Sequence, residues 1–207
     1  MHIMFSLSWI KVTQKNWKKQ TFQSHGLING GFMRELFTID KKNYIENGTV
    51  GKRPSVRGII IKDGKIAMMH SLKYDYYKLP GGGIEEGEQL KDTLIREVRE
   101  ESGLIVKEES IKEFGYVRRI EKGKIEDIFI QENYYFLCEV EETVQSQQLD
   151  DYEEEELFTL EFVTPWHAIS VNENADHKEK DSQQTFSGMI LRENKVLQII
   201  QKDVLEL

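Results

Sequence analysis

The chain has 207 residues, 39% apolar and 10% aromatic, with a net charge of −8, which fits one globular domain carrying an appendage. An acidic chain without a basic block points away from nucleic acid as the main partner, and the lack of an apolar run of about 18 residues points away from a spanning helix or a membrane partner. The single cysteine, Cys138, rules out an intramolecular disulfide, fits a cytoplasmic location and reads as a small buried hydrophobe in an apolar strand.

Residues 1–32 stand apart, with four lysines and no Asp or Glu, whereas residues 33–207 hold 24 basic and 36 acidic residues. Met33-Arg34-Glu35-Leu36 reads as a fresh start. Residues 1–32 are therefore expected to be an N-terminal extension, either a translated leader or an arm, and residues 33–207 the domain.

A strand or arm is predicted over Leu36–Tyr44, with turns at Asn47-Gly48 and at 51–54. Val56–Ile61 and Lys65–His70 flank Lys62-Asp63-Gly64, and Asp-Gly between apolar runs predicts a hairpin. Arg57 on its first strand is a candidate for a substrate phosphate or for an ordinary ion pair. His70 is a candidate pocket residue or a plain strand-end histidine. In Lys73-Tyr74-Asp75-Tyr76-Tyr77-Lys78, Lys73, Tyr77 and Lys78 are candidates to stack a base and neutralise phosphates. The plainer reading of each tyrosine is a half-buried strand residue.

Gly81-Gly82-Gly83 follows, where the backbone is free to approach a metal or phosphate. Gln89–Ser102 predicts a helix: good helix formers, Leu90, Leu94, Ile95 and Val98 at helical spacing, and Gly103 placed for a left-handed cap. Glu97, Glu100 and Glu101 at i, i+3 and i+4 put three carboxylates side by side. Such a cluster is either a solvated acidic face or a hard oxygen site for Mg2+, with Mn2+ as the alternative ion. Arg96 points about 100° away, towards pairing with Glu88 or holding the loop.

Gly82, five residues, Glu88, seven residues, then Arg96-Glu97-Val98-Arg99-Glu100-Glu101-Ser102-Gly103-Leu104 resembles the Nudix hydrolase signature at every defining position. The resemblance implies an α/β fold over residues 35–205: a Nudix-type α/β/α sandwich with a mixed curved β-sheet, the motif helix on one face and the C-terminal helix on the other. It implies Mg2+-dependent cleavage of a pyrophosphate bond in a nucleoside diphosphate linked to another moiety. Carried over, Glu100 and Glu101 match the main metal ligands and Glu97 a ligand or general base. Gly82 matches the loop glycine whose neighbourhood lends a carbonyl, and Glu88 the acid that bonds back to the helix. Arg96 belongs to the catalytic set as the loop's anchor. A further metal carboxylate is expected from Glu153, Glu154 or Glu155. The partner implied is a small nucleotide, with homodimerisation left open.

The substrate stays open between a nucleoside triphosphate and a nucleotide sugar. Arg118-Arg119-Ile120-Glu121 stands where ADP-ribose enzymes of the family carry a proline and dinucleoside polyphosphate enzymes a tyrosine, and the coenzyme A pattern is absent. The competing reading is a catalytically silent nucleotide-sensing module. Retention of Glu97, Glu100 and Glu101 favours the enzyme.

Downstream, Val106 and Ile111–Arg119 predict strands, and the long run Ile125–Val140 predicts a strand paired with Tyr116–Ile120 across the turn at 121–124. Residues 145–157 predict an acidic loop, Leu160–Val163 a strand, Trp166–Val171 a helical turn and 172–184 a polar loop. Met189–Leu205 predicts a closing amphipathic helix.

Overall fold

The computed structural model describes residues 33–175 and 183–206. The expected extension at 1–32 lies outside the described residues.

The first strand, β1 (Glu35–Asp40), is followed by β2 (Val50–Lys52), β3 (Ser55–Ile59), β4 (Ile61–Lys62), β5 (Lys65–Ser71) and β6 (Tyr76–Lys78). The predicted hairpin forms between β4 and β5, with Asp63 at φ 51° and Gly64 at φ 71°. Two consecutive positive φ values are what a two-residue hairpin turn demands, and Asp-Gly meets that demand at little cost. The motif helix α1 runs Leu90–Ser102, and Gly103 closes it at φ 73°, its N–H bonding Arg99 O at 2.8 Å. Then come β7 (Leu104–Val106), β8 (Lys112–Glu121), β9 (Ile128–Leu137) and β10 (Val140–Val144). After α2 (Asp151–Glu155) the chain ends with β11 (Phe158–Val163), α3 (Pro165–Asn174) and α4 (Gln183–Asp203).

The strands make one mixed five-stranded sheet, one four-stranded sheet and a two-stranded ribbon. In the first, β8 and β9 pair antiparallel, β1 adds parallel to β8, and β2 and β3 both add parallel to β9. In the second, β5 is flanked by β11 on one side and by β4 and β6 on the other.

Gly58 and Ile59 are neighbours on β3 and so face opposite ways. A Cβ on Gly58 would lie 2.9 Å from Val98 Cγ2, which puts α1 on that face. Ile59 belongs to the core shared with Val196, Leu197 and Ile200 of α4, together with Val117, Tyr135 and Leu79. The mixed α/β sandwich expected from the sequence is therefore present, with the motif helix and the last helix on opposite faces.

Three local expectations are corrected. The run Ile125–Val140 is two strands in different sheets. Cys138 N–H still bonds Ile59 O at 3.1 Å, but Glu139 N–H bonds Ser110 Oγ and its carbonyl accepts from Lys107, so β10 leaves to pair with β7. A continuous apolar pattern does not mark where a strand changes partner. The acidic stretch 145–157 holds the short helix α2, started by a capping box. Asp150 accepts from Glu153 N–H at 3.0 Å, and Glu153 Oε2 accepts from Asp150 N–H at 3.4 Å. The predicted loop at 172–184 loses its start to α3, whose Thr164 cap and Pro165 open it. Asn172 is buried there, its side chain bonding both Tyr77 N–H (2.7 Å) and Tyr77 O (3.1 Å).

Candidate active site

The loop Pro80–Gly83 is zipped to β3: Gly58 N–H bonds Pro80 O at 2.8 Å and Val56 N–H bonds Gly82 O at 3.0 Å. That pairing sets the loop beside α1. Glu97 packs directly on Gly82, and any Cβ there would force its carboxylate to move away from the loop.

The three motif carboxylates do not form the side-by-side cluster expected from their spacing. Among the described residues, no group of three or more His, Cys, Asp or Glu side chains is arranged to hold a metal. Two cations divide them. Arg96 Nη1 donates to Glu97 Oε1 at 2.8 Å and to Glu100 Oε2 at 3.0 Å. Its Nε and Nη2 donate to Glu88 at 2.7 and 2.8 Å, and Nη2 also reaches Gly83 O at 3.4 Å. Arg96 thus bonds both the loop, at Glu88 and Gly83 O, and two motif carboxylates. Glu88, hydrogen-bonded by Arg96 and by Glu85 N–H, is held down at about 2. Glu97 is shifted up by burial, against the pull of Arg96.

Glu101 belongs to a second, buried group. Its Oε2 accepts from Gly81 N–H at 2.9 Å and its Oε1 from Lys78 Nζ at 3.0 Å. Lys78 Nζ also donates to Glu153 Oε1 and Tyr152 Oη, both at 2.7 Å. Burial raises the Glu101 carboxyl, and Glu153 adds to this while Lys78 opposes it. Burial would raise Glu153 too, but hydrogen bonds with Glu101, Lys78 and Tyr152 outweigh it and hold Glu153 low. Of the three acidic candidates in the downstream run, Glu153 is the one brought to the motif. Glu155 instead pairs with Lys73 at 2.7 Å.

The flanking candidates separate. Lys78, expected to contact substrate, is 4% exposed and engaged with carboxylates, which suits a positioning cation. Tyr77, expected to stack a base, is buried; its Oη donates to Glu161 Oε2 at 2.8 Å and its ring stacks on His70 at 4.2 Å. Both His70 nitrogens are taken, Nδ1 by Glu161 (2.8 Å) and Nε2 by Asp75 (2.9 Å). Lys73 lies on the surface against Glu155. Arg57 alone of this set keeps buried nitrogens, Nε and Nη1, without a hydrogen-bond partner among the described residues.

Sequence reasoning passed over Glu193, which is fully buried on α4 and accepts Leu79 N–H at 3.1 Å, tying the last helix to the motif loop. Its neighbour Arg192 neutralises it at 2.6 Å. The available signal was a charged pair breaking the apolar stripe of that helix.

Over 60 residues the chain is 40% identical to an ADP-ribose pyrophosphatase of Methanocaldococcus jannaschii, a match covering 28% of this chain and 36% of that protein. Over 48 residues it is 33% identical to an uncharacterized Nudix hydrolase of Bacillus subtilis, covering 23% of this chain and 30% of that one. The chain thus spans about a third of the length of these curated relatives. A NUDIX hydrolase from Nitrosomonas europaea aligns in space over 69% of this chain and 90% of its own, at TM-score 0.47 and 14% identity. A MutT protein from Bacillus halodurans aligns over 57% and 72%, at TM-score 0.42 and 16% identity. A family model described as NUDIX domain matches residues 51–185. That match covers more than half of the 207 residues and contains the whole of the loop and helix joined through Gly82 and Glu97, so the chain belongs to the Nudix family.

Proposed function

We propose that this chain hydrolyses a pyrophosphate bond in a small nucleotide, a nucleoside diphosphate linked to another moiety, in the cytoplasm. The observation that carries the reading is the seating of two motif carboxylates on the motif loop, Glu97 against Gly82 and Glu101 on Gly81 N–H.

That donor set, all carboxylate and carbonyl oxygen, fits a hard divalent cation such as Mg2+. Glu97, Glu100 and Glu101 would hold it with a carbonyl from the Gly82 loop, and Glu153 lies within reach of the set through Lys78. When bound, the ion would polarise phosphate oxygens and ease loss of a proton from water. Glu97 would take that proton: burial raises its basicity, and Arg96 Nη1 donates to its Oε1. Arg96 and Lys78 keep the carboxylates apart by charge pairing.

The archaeal relative's name places ADP-ribose first in a substrate panel, although the stretch Arg118–Glu121 lacks the proline expected for that substrate. One observation favours a second reading, a nucleotide sensor without turnover: all three motif carboxylates are engaged by side-chain cations. The test is incubation with ADP-ribose, nucleoside triphosphates and nucleotide sugars plus Mg2+, followed by phosphatase and phosphate detection. Turnover by the wild type and none by Glu101→Gln is expected. Inert wild-type protein, or equal turnover in the variant, would overturn the catalytic reading.

A further inference from the structure

On the face of the five-stranded sheet turned to α4, β3 and β9 carry buried donors that no group among the described residues satisfies. In their parallel register Arg57 stands opposite Tyr135 and Ser55 opposite Asn133. Neighbouring strands lie about 4.8 Å apart, and residues two apart share a face, so Arg57, Tyr135 and Asn133 form one patch. Arg57 Nε and Nη1, Asn133 Nδ2 and Tyr135 Oη are buried and have no hydrogen-bond partner among the described residues. Arg119 Nε is likewise without a hydrogen bond but has Glu121 Oε1 at 3.3 Å.

The orientation of Asn133 is set by its own contacts. Its Oδ1 accepts from Ser55 Oγ at 2.8 Å and from Arg192 Nη1 at 2.7 Å, which leaves Nδ2 to donate. The unpaired atoms are therefore three N–H donors and a hydroxyl, with no acceptor-only atom among them. Each costs about 1–3 kcal/mol if left unpaired, and native proteins leave few such groups. A buried water divides about three hydrogen bonds between donating and accepting, so one water does not satisfy a set made of donors. A nucleobase edge mixes donors with acceptors. A phosphate presents only acceptors, carries charge, and matches the guanidinium fork.

The patch borders the motif. Gly81, at φ 133°, lies so close to β3 that a Cβ there would meet Arg57 Cα at 3.0 Å, and the same Gly81 donates to Glu101. Arg57 keeps part of its surface open to solvent, while Tyr135 and Asn133 are fully buried. We infer that Arg57, Tyr135 and Asn133 form a phosphate-recognition subsite one strand away from the motif loop, which takes a phosphate of the substrate and not its base. Its placement beside the reacting bond rests on the pyrophosphohydrolase reading above.

The test is calorimetric titration of the full chain with inorganic pyrophosphate in EDTA. Arg57→Met is expected to weaken binding about 10-fold or more and Tyr135→Phe, which keeps the ring packing, by roughly several-fold. Arg118→Met serves as the control and is expected to bind as the wild type, since Arg118 lies on the opposite face, paired to Glu132 at 2.8 Å. Failure of the wild type to bind pyrophosphate, or unchanged affinity in both Arg57→Met and Tyr135→Phe, overturns the subsite. If the expected pattern holds in a protein that turns over nothing, the subsite stands and the hydrolase reading falls. If nucleotides are turned over while both variants bind pyrophosphate normally, the subsite falls and the hydrolase reading stands.

Discussion

Glu101 is a motif carboxylate whose burial works against its charge. It is buried, bonded to Gly81 N–H and Lys78, and its carboxyl is raised. A folded-state value above the unfolded one means that folding takes up a proton. The stability it contributes is present at acid pH and is lost as pH rises from the ordinary carboxylate range, about 4, through the raised folded value. Gln at this position keeps the shape and can still accept from Gly81, but it cannot take up that proton. Glu101→Gln is expected to abolish turnover while flattening this pH dependence, read from urea unfolding at a series of pH values. A slope identical to that of the wild type would show that Glu101 is not the group responsible. The spacing of Glu97, Glu100 and Glu101 was legible in the sequence. Their division between Arg96 and Lys78 was not, because helical spacing places Cα atoms and says nothing of which cation a carboxylate turns to.

At the scale of elements, the loop and α1 behave as one unit because Glu88 and Arg96 clamp them. Glu88 also accepts from Thr93 Oγ1 at 2.9 Å and Glu85 N–H at 3.0 Å, so the loop before the helix is closed on the first turn. Arg96 holds Glu88 at about 2, below its unfolded value of about 4.3. A depressed carboxylate contributes stability above the unfolded value and loses it as pH falls to the folded one. Glu88→Gln is thus expected to be less stable at neutral pH by about 1–2 kcal/mol, reduced by the partial exposure of the pair. Its acid unfolding limb between roughly pH 4 and 2 is expected to be shallower, measured by circular dichroism. A variant with the wild-type acid limb would count against the clamp. The motif helix itself was readable to within a residue, since its propensity, apolar stripe and glycine cap agree. The helix α2 was missed although Asp150-x-x-Glu153 spelled its capping box, because seven residues rich in like charge read first as solvated loop.

For the whole molecule, the site depends on a layer far from it in sequence. α4 supplies Leu197 and Ile200 to the central core and Glu193 to Leu79 N–H, at the root of the motif loop. Leu197→Ala is expected to lower stability by about 2–5 kcal/mol through the cavity it leaves, with KM unchanged, checked by thermal unfolding beside kinetics at a permissive temperature. A raised KM with unchanged stability would contradict that division of labour. What the sequence by itself determined was the local chemistry: a motif of fixed spacing, a hairpin turn that only Asp-Gly or its like can make cheaply, and the apolar stripes of two helices. These follow from short-range backbone sterics and periodicity, which a linear reading contains. Only the tertiary structure decided that Lys78 is buried against Glu101 and Glu153, that one apolar run splits between two sheets, and that Arg57, Tyr135 and Asn133 share a face with donors unpaired among the described residues. Each of these joins residues from about 20 to about 80 positions apart, and the cost of burying a charge or a donor is set by what surrounds it in space.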